Sequence, residues 1–427
     1  MSGIRRAGSV EISGFPQLRI PDIGMKLRSG ALLSVAFWGV FLAGVRLAVV
    51  PPESCGDTDP AAVRLAMKEA AEWMKRNLKP DGTYVYLYFT ETDSIPRDYN
   101  EVRHAGVTMS LYQAAGRLGD PRALAAADGA LAWMERRLVR RHGWAALDWP
   151  GGQPKLGATA LMTAGLAERR VATGDDSYDG LMRSLGRFMV AMQRDDGGFF
   201  NGWDTSSDLP LPGTSKYYPG EAFWALTLLD KAFPGEGWGA AARGAASWLV
   251  MNRDDELGVD FPPLPDQWTA YGLAELADSG LDETEAAYAR RLAERWGFFT
   301  RAEAQRQGSW MGRLVRGRDA RASGLGTWVE GLTALWRVSM KDDRLADQRS
   351  AIRERALCAS GILAERQVSH WEADSYPKPD LVRGAWIRGG ETRMDDQQHA
   401  FSGLLYALDA LEGRLQRVPD RPVLSHE

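Results

Sequence analysis

The chain has 427 residues but only two cysteines, Cys55 and Cys358, and five histidines. Two cysteines build no disulfide framework, although an oxidising compartment would let them pair. Neither belongs to a CxxC pair, and no histidines and carboxylates cluster at metal-ligand spacing, so no metal and no cofactor is expected. An excess of positive charge is missing as well. With a net charge of −4 and a pI near 5.9, the chain lacks the basic stripe that phosphate backbones require, which excludes nucleic acid as a partner. What remains is the composition of a packed protein, 44% apolar and 25% charged. The length fits two or three average domains or one large α-barrel. Tryptophan is plentiful, at sixteen. Most tryptophans are core residues, but exposed rings of this kind stack on sugar faces.

One segment bears on location. Residues 31–50, "ALLSVAFWGVFLAGVRLAVV", form an apolar run preceded by Lys26 and Arg28, with Arg5, Arg6 and Arg19 upstream. About 20 apolar residues cross a bilayer, and a positive flank stays in the cytoplasm. Arg46 can snorkel to the far interface. The segment reads as an uncleaved transmembrane anchor over 30–50, after a basic tail at 1–29. Met25 offers an alternative start, and a cleaved signal peptide competes, though no clean A-x-A site follows "FLAG". Under either reading the rest of the chain lies outside the cytoplasm: a linker at 51–58, a folded domain at 59–412 and a tail at 413–427.

From Asp57 onward two kinds of helical segment alternate. Segments 101–116, 155–173, 217–233, 266–278, 327–340 and 395–412 are Ala-rich and apolar nearly all round. Segments 59–78, 121–138, 177–193, 239–251, 282–298 and 344–366 are amphipathic. A helix apolar on every side is buried, and an amphipathic one covers it. Six of each in strict alternation predict an all-α fold, an (α/α)6 barrel with an inner ring wrapped by an outer one. Links from inner to outer helix are short ("RLGDPR", "TGDD", "FPGEGW", "DSGLD", "MKDDR"). Links from outer to inner helix are long: 79–100, 139–154, 194–216, 252–265, 299–326 and 367–394. Loops beyond about 12–15 residues in a compact fold are usually functional or disordered, and these are rich in Trp, Tyr, Gly and Pro. All six emerge on the rim where the inner helices begin.

The hairpins share a tag, "WMKRNLKPDGTY" (73–84) and "FMVAMQRDDGGF" (188–199), with a degraded copy in "WLVMNRDDELG" (248–258). This tag resembles the repeat of the α/α-toroid superfamily, which holds terpenoid cyclases, prenyltransferases and the six-hairpin glycosidases. The resemblance spans residues 59–412 and carries architecture rather than chemistry.

The rim end of each inner helix holds polar residues. "DYNEVRHAG" (98–106) supplies Tyr99, Asn100, Arg103 and His104. "PKLGATA" supplies Lys155, and "KYYPGEAFWAL" supplies Tyr217, Tyr218 and Glu221. Asp266 and Trp268 come from "PDQWTAYG", and Trp328 and Glu330 from "GTWVEGL". "MDDQQHAFSG" (394–403) supplies Asp395, Gln398 and His399 just after Arg393. The first and last inner helices adjoin when the ring closes, so His104 and His399 are expected to face one cavity. A carboxylate in the first turns of a buried helix caps, pairs or works. Capping suits Asp266; Glu221 and Glu330 have no such need. Arg103 and Arg393 suit an anionic group or a pairing with Asp395, Asp396 or Glu101.

Two motifs are set aside. "DDSYD" (175–179) matches a diphosphate-binding pattern but falls in a short link, where Asp caps an outer helix. The acid motif of protonating terpenoid cyclases is absent, "MDDQ" being the nearest approach, and neither cysteine suits the zinc site of lanthionine-type cyclases.

An aromatic, carboxylate-lined cup fits a carbohydrate-active enzyme at the cell envelope, most simply a glycoside hydrolase using two carboxylates. Glu330 or Glu221 is the expected acid and Asp266 the expected base. The resemblance to six-hairpin glycosidases implies inversion. A uronate lyase or C5-epimerase using Tyr99, Asn100, Arg103 and His104 is the alternative, and a non-catalytic glycan- or partner-binding barrel a third. The sequence names no protein partner.

Overall fold

The computed structural model describes residues 23–148 and 151–413 and separates into two compact units, Met1–Pro51 and Pro52–Glu427. In the first unit, one helix runs Ile23–Val49. Its apolar side chains, among them Leu32, Val35, Phe37, Val40 and Phe41, are exposed. Among the described residues no helix is both long and apolar enough to cross a membrane. Of the expected basic tail, residues 1–22 lie outside that description, as do the side chains at 23–29; of the expected span, only the side chains at 30 and 48 do. The tail at 414–427 also lies outside it.

The second unit is the expected double ring. The inner helices are Glu101–Leu118, Leu156–Thr173, Tyr218–Ala232, Gln267–Leu276, Ala322–Lys341 and Met394–Leu411. Each packs on the next, and the last packs on the first, closing the ring. The outer helices are Pro60–Arg76, Pro121–Glu135, Asp179–Ala191, Trp238–Met251, Glu283–Gly308 and Arg349–Glu365. Inner helices are buried along most of their length, as their composition requires.

Local chemistry explains the lopsided connections. In "RLGDPR" Gly119 ends the first inner helix in the left-handed region (φ 61°), Asp120 accepts from the Arg122 and Ala123 N–H groups, and Pro121 begins the outer helix. Three consecutive residues thus stop one helix and start the next. The shared tag is a shared turn. Asp81 accepts from the Thr83 N–H at 2.8 Å and Asp196 from the Gly198 N–H at 2.9 Å. Gly82 and Gly197 adopt φ of 88° and 90°, and a Cβ at either would press on the next outer helix, at Gly129 or Gly244. Tyr84 and Phe199, which follow, are fully buried.

Several boundaries move. The second outer helix stops at Glu135, and residues 138–147 form a β-hairpin, Leu138–Arg141 with Trp144–Leu147. A second hairpin pairs Gly202–Asp204 with Leu209–Leu211. The fifth outer helix runs ten residues past the expected end at 298, to Gly308, and the fifth inner helix begins at Ala322 rather than 327. A 3-10 turn over Asp343–Gln348 precedes the sixth outer helix. Leu87–Phe89 pairs antiparallel with Glu391–Arg393, so the first and last rim links are stitched together. Cys55 and Cys358 form a disulfide that ties the segment before the barrel to the sixth outer helix.

Candidate active site

The rim ends of the inner helices surround a cavity of about 410 Å³, within the range of small-ligand pockets. Its lining includes Asn100, Arg103, Tyr217, Tyr218, Glu221, Trp268, Asp395, Gln398 and His399. Nine of the expected site residues therefore meet at one place, drawn from the first, third, fourth and sixth inner helices or the residues just before them. Glycines make room for them. A Cβ at Gly157 would collide with Glu221 and Tyr218, and one at Gly106 with Gln398.

Three polar atoms in this wall are buried and have no hydrogen-bond partner among the described residues: Glu221 Oε2, Asp395 Oδ1 and Gln398 Nε2. Such atoms cost stability unless something binds them. Glu221 is 4% exposed. Burial, reinforced by the negative charge of Asp266, pushes its carboxyl up to about 8. It is therefore a neutral acid at physiological pH, able to give up a proton. Burial also raises the neighbouring Tyr217 and Tyr218, which stay neutral donors.

Asp395 Oδ2 lies 3.4 Å from Arg103 and 3.3 Å from Arg393. Arg103 also donates to the Tyr86 hydroxyl. Asp396, next in sequence, does structural work: it accepts from Arg321 at 2.9 Å and from the Ser323 N–H at 3.1 Å, capping the fifth inner helix from the start of the sixth. His399 Nδ1 lies 2.9 Å from Glu330 Oε2, so proton exchange at this ring runs through Nε2. Burial opposes a positive charge on the imidazole. The charges of Glu330, Asp395 and Asp396 outweigh it and hold the group above its ordinary value. Trp268 stands beside this ring, with centroids 5.8 Å apart.

The structure places the other expected residues elsewhere. His104 is fully buried behind the wall, hydrogen-bonded to the Tyr99 hydroxyl at 2.7 Å and the Ala130 carbonyl at 3.1 Å and stacked on Trp133. Burial drops it to about 3, so it stays neutral, and both Tyr99 and His104 are packing residues. The expectation that His104 and His399 share the cavity is corrected: of the two, His399 lines it and His104 does not. Asp266 is fully buried, 2.6 Å from Arg253 and 2.6 Å from the Thr269 hydroxyl, and accepts from the Trp268 N–H at 3.1 Å. It caps a helix and closes a buried ion pair, which removes it as the base. Glu330 reaches the cavity only through His399. Lys155 pairs with Glu101 at 2.6 Å, Trp328 packs on Phe299, and Arg393 touches the site through Asp395.

Gln267, Ser323 and Thr327 also line the cavity and were not anticipated. Starting the fifth inner helix at 322 exposes the polar residues of "ASGLGT" as its first turns; Gln267 sits between two residues already singled out. Among the described residues no cluster of His, Cys, Asp and Glu could hold a metal ion.

No protein-family model matches the chain, and no curated protein matches its sequence. Solved structures match its fold. Cellobiose 2-epimerase from Spirochaeta thermophila aligns with a TM-score of 0.55 at 15% identity, over 83% of this chain and 99% of its own. An unsaturated glucuronyl hydrolase specific for heparin gives 0.55 at 13% identity, over 83% and 98%. An inactive variant of a Salegentibacter α-1,6-mannanase, in complex with α-1,6-mannotetrose, gives 0.55 at 13% identity, over 81% and 99%. At such identities the likeness shows architecture alone: the chain has the (α/α)6 toroid fold of these structures.

Proposed function

We propose that this protein is a membrane-anchored enzyme of the cell envelope that performs acid–base chemistry on a carbohydrate, as a glycoside hydrolase. The observation that carries the reading is the convergence of Glu221, Asp395 and Gln398, each with a buried and unpartnered polar atom, on one aromatic-walled cavity. Glu221 supplies the proton to the departing glycosidic oxygen as the bond to the anomeric carbon breaks. Asp395 takes a proton from the water whose oxygen bonds to that carbon. Trp268, Tyr217 and Tyr218 offer the ring with its faces and hydroxyls. The two hydrolases among the similar folds act on sugars by name, which supports the substrate class.

Location rests on three supports. Residues 31–47 expose apolar side chains along one helix, positive residues precede them, and the Cys55–Cys358 pair suits an oxidising compartment. The barrel would then lie on the periplasmic or extracellular side.

A second reading is favoured by the His399–Glu330 pair. In an epimerase His399 withdraws the proton from carbon and Glu221 gives one back to that carbon on the opposite face; in a lyase the same withdrawal forms the C4–C5 double bond as the C4–O bond breaks, and Glu221 protonates the departing glycosidic oxygen. One experiment separates the two. The full chain in detergent is offered neutral and uronate-containing oligosaccharides, following reducing ends, unsaturated-uronate absorbance and deuterium uptake from solvent. Hydrolysis gives reducing ends alone, lost in Glu221→Gln. Absorbance or deuterium uptake, lost in His399→Ala, would replace it with the second reading.

A further inference from the structure

The chain enters the barrel unit at Pro52, and the next residues are pinned. Ser54 donates its N–H to the Ala304 carbonyl at 2.9 Å, Glu53 pairs with Arg301 and Arg355, and Gly308 is packed so closely on Pro52 that a Cβ would strike its carbonyl. The fifth outer helix ends at that glycine. The next turn, Trp310–Val315, is capped by Ser309 through the Gly312 N–H. It exposes Trp310 (66%), Leu314 (71%) and Val315 (42%). Arg313 and Arg318 are exposed alongside them. Large apolar side chains next to arginines, at the point where an anchored chain reaches its domain, have the chemistry of the bilayer interface. Tryptophan prefers that zone, and anionic headgroups attract arginine.

We infer that residues 310–318 are a membrane-docking face, seated on an anionic lipid surface by Trp310 and Leu314 with Arg313 and Arg318 around them. The inference rests on the anchor reading above. The face belongs to the link between the fifth outer and fifth inner helices, on the rim that carries the cavity. Docking therefore holds the mouth close to the bilayer and favours a sugar chain presented there, on a lipid carrier or a nascent polymer, over one diffusing freely.

The test uses the full chain in nanodiscs of mixed anionic and zwitterionic lipid, with hydroxyl-radical oxidation read residue by residue. Met340, at the C-terminal end of the fifth inner helix and 39% exposed, is the reference on the opposite end of the barrel. The ratio of Trp310 to Met340 oxidation should fall in anionic nanodiscs. It should recover in zwitterionic nanodiscs and in Leu314→Asp. Each arginine removed should weaken docking about fivefold. An unchanged ratio, with the chain still bound to the discs, overturns the docking face and leaves the anchor standing. A chain that separates from the discs overturns the anchor, and the docking face with it.

Discussion

Replacing Glu221 by glutamine should stabilise the protein, and by an amount that depends on pH. In the unfolded chain this carboxyl ionises near its ordinary 4.5, whereas burial and Asp266 push it up to about 8 in the fold. Folding at pH 7 therefore takes up a proton, across two and a half pH units at 1.36 kcal/mol each, which costs about 3 kcal/mol. Glutamine has the same size and much the same polar surface as the neutral acid but takes up no proton, so the cost disappears. The sign follows from proton counting. Between pH 4.5 and 8 the folded state binds more protons than the unfolded one, so wild-type stability declines as pH rises through that window. The difference between the two proteins should be near zero at pH 4, about 3 kcal/mol at pH 7 and about 5 kcal/mol above pH 8. Parallel urea titrations at pH 4, 7 and 9, followed by helical ellipticity, read it directly. Activity moves the other way, falling at least about a hundredfold with the loss of the acid. A stability difference that ignores pH, or a variant less stable at pH 7, refutes the reasoning.

The buried Arg253–Asp266 pair makes the opposite prediction: Arg253→Met strands a carboxylate in the core and should cost about 3–5 kcal/mol, with Asp266→Leu added to it restoring most of the loss in thermal melts. Breaking the Cys55–Cys358 bridge with Cys55→Ser opens a loop of 303 residues. The chain-entropy estimate puts an upper value of roughly 5–6 kcal/mol on it, and a melting temperature unmoved by reductant would contradict the pairing. In Glu330→Gln, the His399 imidazole should titrate closer to its ordinary 6.5, a shift readable by NMR among five histidines. In the wild type the stability from this pair is full below pH 6.5 and is lost as pH rises through the raised value.

Alternation of helix types made the double ring legible, because burial on every side and burial on one side leave different compositions. The rim was legible for the same reason: polar residues at the buried start of an inner helix stand out against alanine and leucine. Glu221, Trp268 and His399 stand where that argument puts them. Which polar residues turn inward to the cavity and which turn back into the wall is not written in the local sequence. His104 and His399 share a sequence setting, yet Trp133 and Ala130 hold the first while Glu330 orients the second. Those partners lie on other helices, and no local pattern reports them. Asp266 was misassigned because its partner, Arg253, sits in the degraded third tag. The hairpins at 138–147 and 202–211 were hidden in links whose glycines and aromatics suit loops and strands equally.

If Glu221 is the acid of a sugar-cleaving site, the pH profile of kcat/KM on a cleaved oligosaccharide must carry its titration. An alkaline limb near pH 8, where Glu221 loses its proton, is the predicted result. Activity that instead rises through the histidine range and persists unchanged to pH 10 would contradict it and place the chemistry on His399.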